Sequence, residues 1–271
     1  MNTQEPLDNL LCLAVENGSV NSVRALLKAG ANVHVWEDLP IRTAAENGYT
    51  EITKMLLDAG ASVHAHQDAP IRWAASNGHT DTVALLVEAG ADIHVQGNCA
   101  LRQAVQYGRT ETVRFLLGAG ANVHANDDEA LRWAAETGYT EIVQVLLENG
   151  ADAHVTDDVA LRWAATDGYT ETVKVLLNHG ADVHVYSDYS LRKASERGHT
   201  ETVRVLLEHG ANVHARDDEA ICLASEHGYT EIVQMLLDRG ADVHVDEDLP
   251  FCWANSNGHT EIVDILQAYM G

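Results

Sequence analysis

The chain repeats itself every thirty residues from end to end, and that period constrains its fold more than any other feature. Glycine marks it at Gly18, Gly48, Gly78, Gly108, Gly138, Gly168, Gly198, Gly228 and Gly258, and a second row runs from Gly30 to Gly240. Histidine marks it again from His34 to His244, and neither insertion nor deletion breaks the register. A fixed period of this length is the signature of a stacked array, in which each unit buries its apolar side against its neighbours. For 271 residues one or two globular domains would be usual. The unbroken period predicts instead one domain, residues 1–271, whose core runs along the chain.

One copy, Asp158–Ser187, reads DVALRWAATDGYTETVKVLLNHGADVHVYS. Two helix signals and a loop divide it. The first helix is predicted to start at Asp158 as N-cap and to stop before Gly168, with Leu161, Ala164 and Ala165 forming its buried stripe. Two alanines on that stripe let neighbouring helices approach closely. The second helix is predicted to open at Thr170, with Glu171 near the positive end of the helix dipole. Val173, Leu176 and Leu177 make its buried stripe, and Gly180 ends it. Residues 1–30 and 248–271 depart from the pattern, as at Gln267 and Tyr269, and are expected to be cap repeats flanking internal repeats over 31–247.

No apolar run reaches the roughly 18 residues a membrane helix needs. The start already matches the repeat and lacks a basic n-region, so no signal peptide is expected and a cytoplasmic location is. Cys12, Cys222 and Cys252 share one repeat position, with Cys99 elsewhere. Equivalent positions of adjacent repeats lie roughly 10 Å apart, about one helix diameter. A disulfide needs less than about 7 Å, so four reduced thiols are expected. The formal charge is −24, from 41 acidic and 17 basic residues. Such a field repels nucleic acid and anionic membranes and attracts basic partners, although it also keeps a long array soluble.

The motif Gly-[His/Tyr]-Thr-Glu-x-Val-x-x-Leu-Leu-x-x-Gly-Ala-[Asp/Asn]-Val-His, as in Gly198–His214, resembles the ankyrin-repeat family over essentially the whole chain. That resemblance implies an all-α solenoid of nine stacked helix-turn-helix units, and protein recognition on the concave face made by first helices and loops. Two departures matter. The period is 30 instead of 33, and the first helix opens Ala-Leu-Arg-Trp-Ala, as at Ala130–Ala134, instead of Thr-Pro-Leu-His-x-Ala. Aligning Leu161–Arg162 on the family's Leu-His puts the three missing residues in the loop, so shortened loops with little β-hairpin are expected. This short repeat also looks like the ankyrin arrays of giant DNA viruses, which would place the protein in a host cytoplasm.

Three periodic constellations are candidates for chemistry. Successive ladder histidines lie too far apart to share a zinc ion, whose ligand nitrogens sit about 2.0–2.1 Å away. They are expected to tie loops together through two ring nitrogens, as the family's Asn does. Protonating all 15 histidines would move the charge from −24 to −9, so a pH response between about pH 7 and 5.5 is the competing expectation. Arg42, Arg72, Arg102, Arg132, Arg162 and Arg192 each follow by four residues an Asp or Asn, at 38, 68, 98, 128, 158 and 188. Residues so spaced share a helix face, which predicts Asp–Arg pairs inside each unit. Tryptophan recurs one residue after the arginine, at Trp73, Trp133, Trp163 and Trp253. It is expected on the inner side near the base of the loop, either packed under the short loop or open as a partner anchor.

Positions that vary between copies outline a recognition surface: loop tips with Trp36, Asp127, Asp157 and Tyr186, and late first-helix positions with Tyr107 and Arg197. No phosphate loop, serine elbow or unique Cys/His site stands apart from the repeat, so no catalytic residue, metal or cofactor is expected. The chain therefore reads as a monomeric, non-enzymatic scaffold presenting an acidic, tryptophan-bearing surface to a basic protein. The candidate contacts are Trp36, Trp73, Tyr107, Asp127, Trp133, Asp157, Trp163, Tyr186, Arg197 and Trp253. Two alternatives stand beside it: an acidic mimic of DNA that blocks a nucleic-acid-binding protein, and a pH or metal sensor built on the histidines.

Overall fold

A computed structural model describes residues 4–270; residues 1–3 and 271, at the outer ends of the two expected cap repeats, lie outside the described residues. Eighteen helices and no strand are found among the described residues. Two compact units divide the chain, residues 1–130 and 131–271, with the boundary inside the helix Ala125–Glu136. In each unit helices alternate between a first helix such as Val155–Thr166 and a second helix such as Thr170–Asn178. First helices stack on first helices and second on second, as Val35–Glu46 does on Ala65–Asn77. The missing hairpin follows from the short loops.

The stripes that make this possible are sealed. Leu161, Ala164, Ala165, Val173 and Leu176 have no exposed surface, and the same positions are closed at Ile71, Ala74, Ala75, Val83 and Leu86. At roughly 1.5–3 kcal/mol for each fully buried large aliphatic side chain, these stripes are the main source of stability. Alanine at the closest approach lets the first helices touch through nearly bare backbone. Where Ser190, Ser195 and Ser225 replace it, each hydroxyl is buried without a hydrogen-bond partner. Threonine strengthens the second-helix stack: Thr50 and Thr82 share a hydrogen bond of 2.8 Å between repeats, as do Thr140 and Thr172.

The two glycine rows have different causes. Gly138 has φ +71°, and a Cβ there would lie 2.5 Å from Cδ1 of Tyr169 in the next repeat. Gly150 has φ +93° but nothing within 4 Å, so only its backbone conformation, at the end of the helix Thr140–Glu148, demands glycine. The first row thus seats the residue that opens the next second helix. Histidine in that seat adds a bond, as His199 Nε2 does to the Thr166 carbonyl at 3.0 Å.

Candidate binding face

Each loop between repeats turns on three successive left-handed residues. In one of them Thr156, Asp157 and Asp158 have φ of 52°, 54° and 52°. Side chains other than glycine disfavour this region by roughly 1–2 kcal/mol per residue, so the turn needs outside support. Arginine supplies part of it. Arg162 Nε donates to the Asp157 carbonyl at 3.0 Å and Nη2 to the Thr156 carbonyl at 3.1 Å. Arg72, Arg102 and Arg192 grip their loops through the same two atoms, and Arg42 through Nη2.

The aspartate supplies the rest. Asp158 is only 4% exposed, and its Oδ1 accepts the backbone N–H of Asp182 in the next loop at 2.8 Å. The ring of His154 donates from Nδ1 to the same carboxylate at 3.2 Å. Asp38, Asp68, Asp188 and Asp218 bridge forward in the same way, and Asn98 does so through its amide oxygen. One acceptor with two donors from two loops makes a cross-brace between successive repeats.

Three expectations are corrected here. Arg42, Arg72, Arg102, Arg162 and Arg192 do not pair with the Asp or Asn four residues before them; their guanidinium groups reach back five or six residues to loop carbonyls instead, because the left-handed turn brings those within reach. Nor is Asp158 a conventional N-cap: it is itself left-handed, and right-handed helix follows it. At Asp218, the equivalent position, no side-chain cap bond forms. Histidine does help tie the loops, but indirectly, by holding the aspartate that makes the bridge. Its rings are more than half exposed, and no group of three or more His, Cys, Asp or Glu could hold a metal ion among the described residues.

Trp73, Trp133, Trp163 and Trp253 are half-buried, between the sealed stripe and the open loop tips. At Trp73 the reason is visible: the guanidinium of Arg42, from the preceding repeat, lies 5.8 Å from the ring centre. Trp36, at a loop tip, is 58% exposed, and its carbonyl accepts from Arg42 Nη2 at 2.7 Å, so that one arginine touches two candidate tryptophans. Tyr107 stands 52% exposed just beyond the helix Val95–Gln106, and Asp127 is exposed at its loop tip. Arg197 reaches Asp167 at 3.0 Å.

Asp157 and Tyr186 are brought into contact. The Tyr186 hydroxyl donates to Asp157 at 2.7 Å, and this bond pushes the phenol's pKa up. Arg162 covers the Tyr186 ring at 4.8 Å, leaving an exposed but immobilised aromatic. Two kinds of residue escaped the sequence reading. Tyr189 sits among Arg162, Arg192 and Lys193, and Glu129 and Glu219 meet the Nη1 atoms of Arg102 and Arg192 at 2.8 and 2.7 Å. The signal for the glutamates was a spacing of 27 residues, visible only once the arginine's direction is known.

Residues 1–130 carry 16 acidic and 8 basic side chains, and residues 131–271 carry 25 and 9, so the charge is concentrated in the second unit. Its loop tips expose Asp157, Asp217, Asp246 and Glu247 against one cation, Arg216. All four cysteines are free thiols: Cys12, Cys99 and Cys222 buried, Cys252 exposed. Burial pushes the Cys222 thiol up to about 12. No helix among the described residues is long and apolar enough to cross a membrane.

Comparison with family models agrees with this architecture. The model for ankyrin repeats in three copies matches in overlapping frames, residues 2–67, 42–127, 72–157, 101–187, 131–217, 161–247 and 191–270. The chain belongs to the ankyrin-repeat family, and its helix pairs form a solenoid that serves as a protein-binding scaffold in the general sense. Compared with curated proteins, it matches none.

Proposed function

We propose that the protein is a non-enzymatic scaffold or adaptor whose first-helix and loop face binds a basic segment of a protein partner. One observation carries this: half-buried tryptophans recur on the first helices beside exposed loop-tip carboxylates. A half-buried indole is already ordered and still offers apolar area, which is the character of interface hot spots. The loop-tip carboxylates of the second unit supply a complementary field for lysine and arginine and speed encounter. Immobilised Tyr186 adds an aromatic whose ordering precedes binding. The same field disfavours direct contact with nucleic acid or anionic membrane. No cofactor, metal or catalytic residue is part of this function, and the protein acts as a monomer of one domain, residues 1–271, in the cytoplasm.

Neither alternative gains a specific observation. Carboxylates one repeat apart match poorly with the charges of DNA, about 3.4 Å apart along a strand. The ladder histidines spend Nδ1 on a structural carboxylate or amide, as at His154 and His94. The test is affinity capture from the source cell with wild type and with Trp133→Ala/Trp163→Ala. A partner held by wild type and lost by the folded double variant supports the assignment. Equal capture by both proteins removes the tryptophans from it.

A further inference from the structure

The arginine ladder contains its own reference for a ligand. Arg102 and Arg192 place Nε and Nη2 on loop carbonyls and turn Nη1 to a glutamate carboxylate of the following repeat, Glu129 at 2.8 Å and Glu219 at 2.7 Å. The repeat positions matching those glutamates hold Ala69 after Arg42 and Cys99 after Arg72, both buried and too short to reach a guanidinium. Arg72 grips its loop through the same two atoms and Arg42 through Nη2, yet among the described residues no carboxylate meets either guanidinium. Arg42 Nε is moreover buried without an acceptor. Each guanidinium is tied to its loop, and neither has a carboxylate at the edge where Arg102 and Arg192 bind one.

We infer that Arg42 and Arg72 form a paired subsite for two carboxylates of a protein ligand. A planar guanidinium already tied to its loop is preorganised for a carboxylate, and charge-assisted bonds of this kind are the strong ones. Their first helices, Val35–Glu46 and Ala65–Asn77, stack directly. The two open edges therefore lie about 10 Å apart, the packing distance of neighbouring helices. A polyproline II segment rises about 3.1 Å per residue with three residues per turn, so acidic side chains three positions apart share one face about 9 Å apart. The ligand is a Glu-x-x-Glu or Asp-x-x-Asp segment in the polyproline II conformation. This subsite does not depend on the tryptophan face being a docking surface; a partner using both would carry mixed charge.

The test uses the full chain, a capped Glu-Ser-Gly-Glu peptide and a capped Gln-Ser-Gly-Gln control, read by NMR of the arginine side-chain N–H groups. Saturable shifts are expected at Arg42 and Arg72 with the glutamate peptide alone, and none at Arg102. Ala69→Glu/Cys99→Glu supplies the missing carboxylates internally and should weaken the peptide by roughly tenfold or more. Glu129→Ala, which keeps every buried aliphatic residue, should open the Arg102 edge and give it a new saturable shift. Silence at Arg42 and Arg72, equal shifts with the glutamine peptide, or no response at Arg102 in Glu129→Ala would each overturn the inference. Tryptophan variants that lose a basic partner but keep these shifts separate it from the proposed function.

Discussion

Replacing Asp158 tests the cross-brace between repeats. Its carboxylate accepts the Asp182 backbone N–H at 2.8 Å and the His154 ring at 3.2 Å while almost wholly buried. Asp158→Ala removes both bonds and strands a partly buried N–H. Hydrogen bonds to a charged group contribute about 1.5–3 kcal/mol, so the loss is about 2 kcal/mol or more. Alanine at a φ of 52° adds about 1 kcal/mol of backbone strain, for a total near 3 kcal/mol. Asp158→Gly loses the same bonds without that strain and should be about 1 kcal/mol less damaging than alanine. Asp158→Asn should cost about 1 kcal/mol or less, because Asn98 already does this work in its own repeat, accepting the Asn122 N–H at 2.8 Å. Urea denaturation ranks the three variants, and hydrogen exchange at the Asp182 amide localises the effect. An alanine variant as stable as wild type, or an asparagine variant as damaged as alanine, would refute the brace.

Other consequences are separable. Gly138→Ala should destabilise by about 3 kcal/mol or more through the clash with Tyr169, and Gly150→Ala by only about 1 kcal/mol through its left-handed φ; thermal melts of the pair check this. Ser195→Ala and Ser225→Ala should each stabilise by about 1 kcal/mol, since each removes a buried hydroxyl that has no partner, and urea midpoints measure it. Cys222 should lower stability as pH rises from about 9 to about 12. Its folded pKa is raised from 9.0 to about 12, so the unfolded chain loses the proton first and is favoured in that window. Denaturation of wild type against Cys222→Ala across that range isolates the effect, which should vanish in the variant. At pH 8 iodoacetamide should label exposed Cys252 and spare native Cys222.

Much of the architecture is legible in the residues because the repeat supplies nine readings of one pattern. Leu161, Ala164 and Ala165 announce a buried stripe by spacing alone, and Gly180 announces the end of a helix. The loops are not legible, since three consecutive left-handed residues are stable only with support that comes from elsewhere. Asp158 looks like an N-cap and an i,i+4 partner for Arg162, which are the local options. The bond it makes lies 24 residues away, and only the stacked geometry shows it. Glycine at 138 looks like a turn residue, whereas the ring it seats belongs to the next repeat. At the candidate face, variation between copies marks Asp157 and Tyr186 as surface residues but does not join them. The degree of tryptophan burial is hidden for the same reason: at Trp73 the cover is Arg42, a residue of the preceding repeat.

The most direct measurement is a fluorescence titration of the full chain with a lysine- and arginine-rich peptide, in wild type and Trp133→Ala/Trp163→Ala, at low and high salt. Saturable binding in wild type is predicted, weakening as salt screens the loop-tip carboxylates and falling by at least about 2 kcal/mol in the double variant. Absence of binding at low salt, or undiminished affinity in the folded double variant, would contradict an acidic, tryptophan-bearing face as the site of recognition.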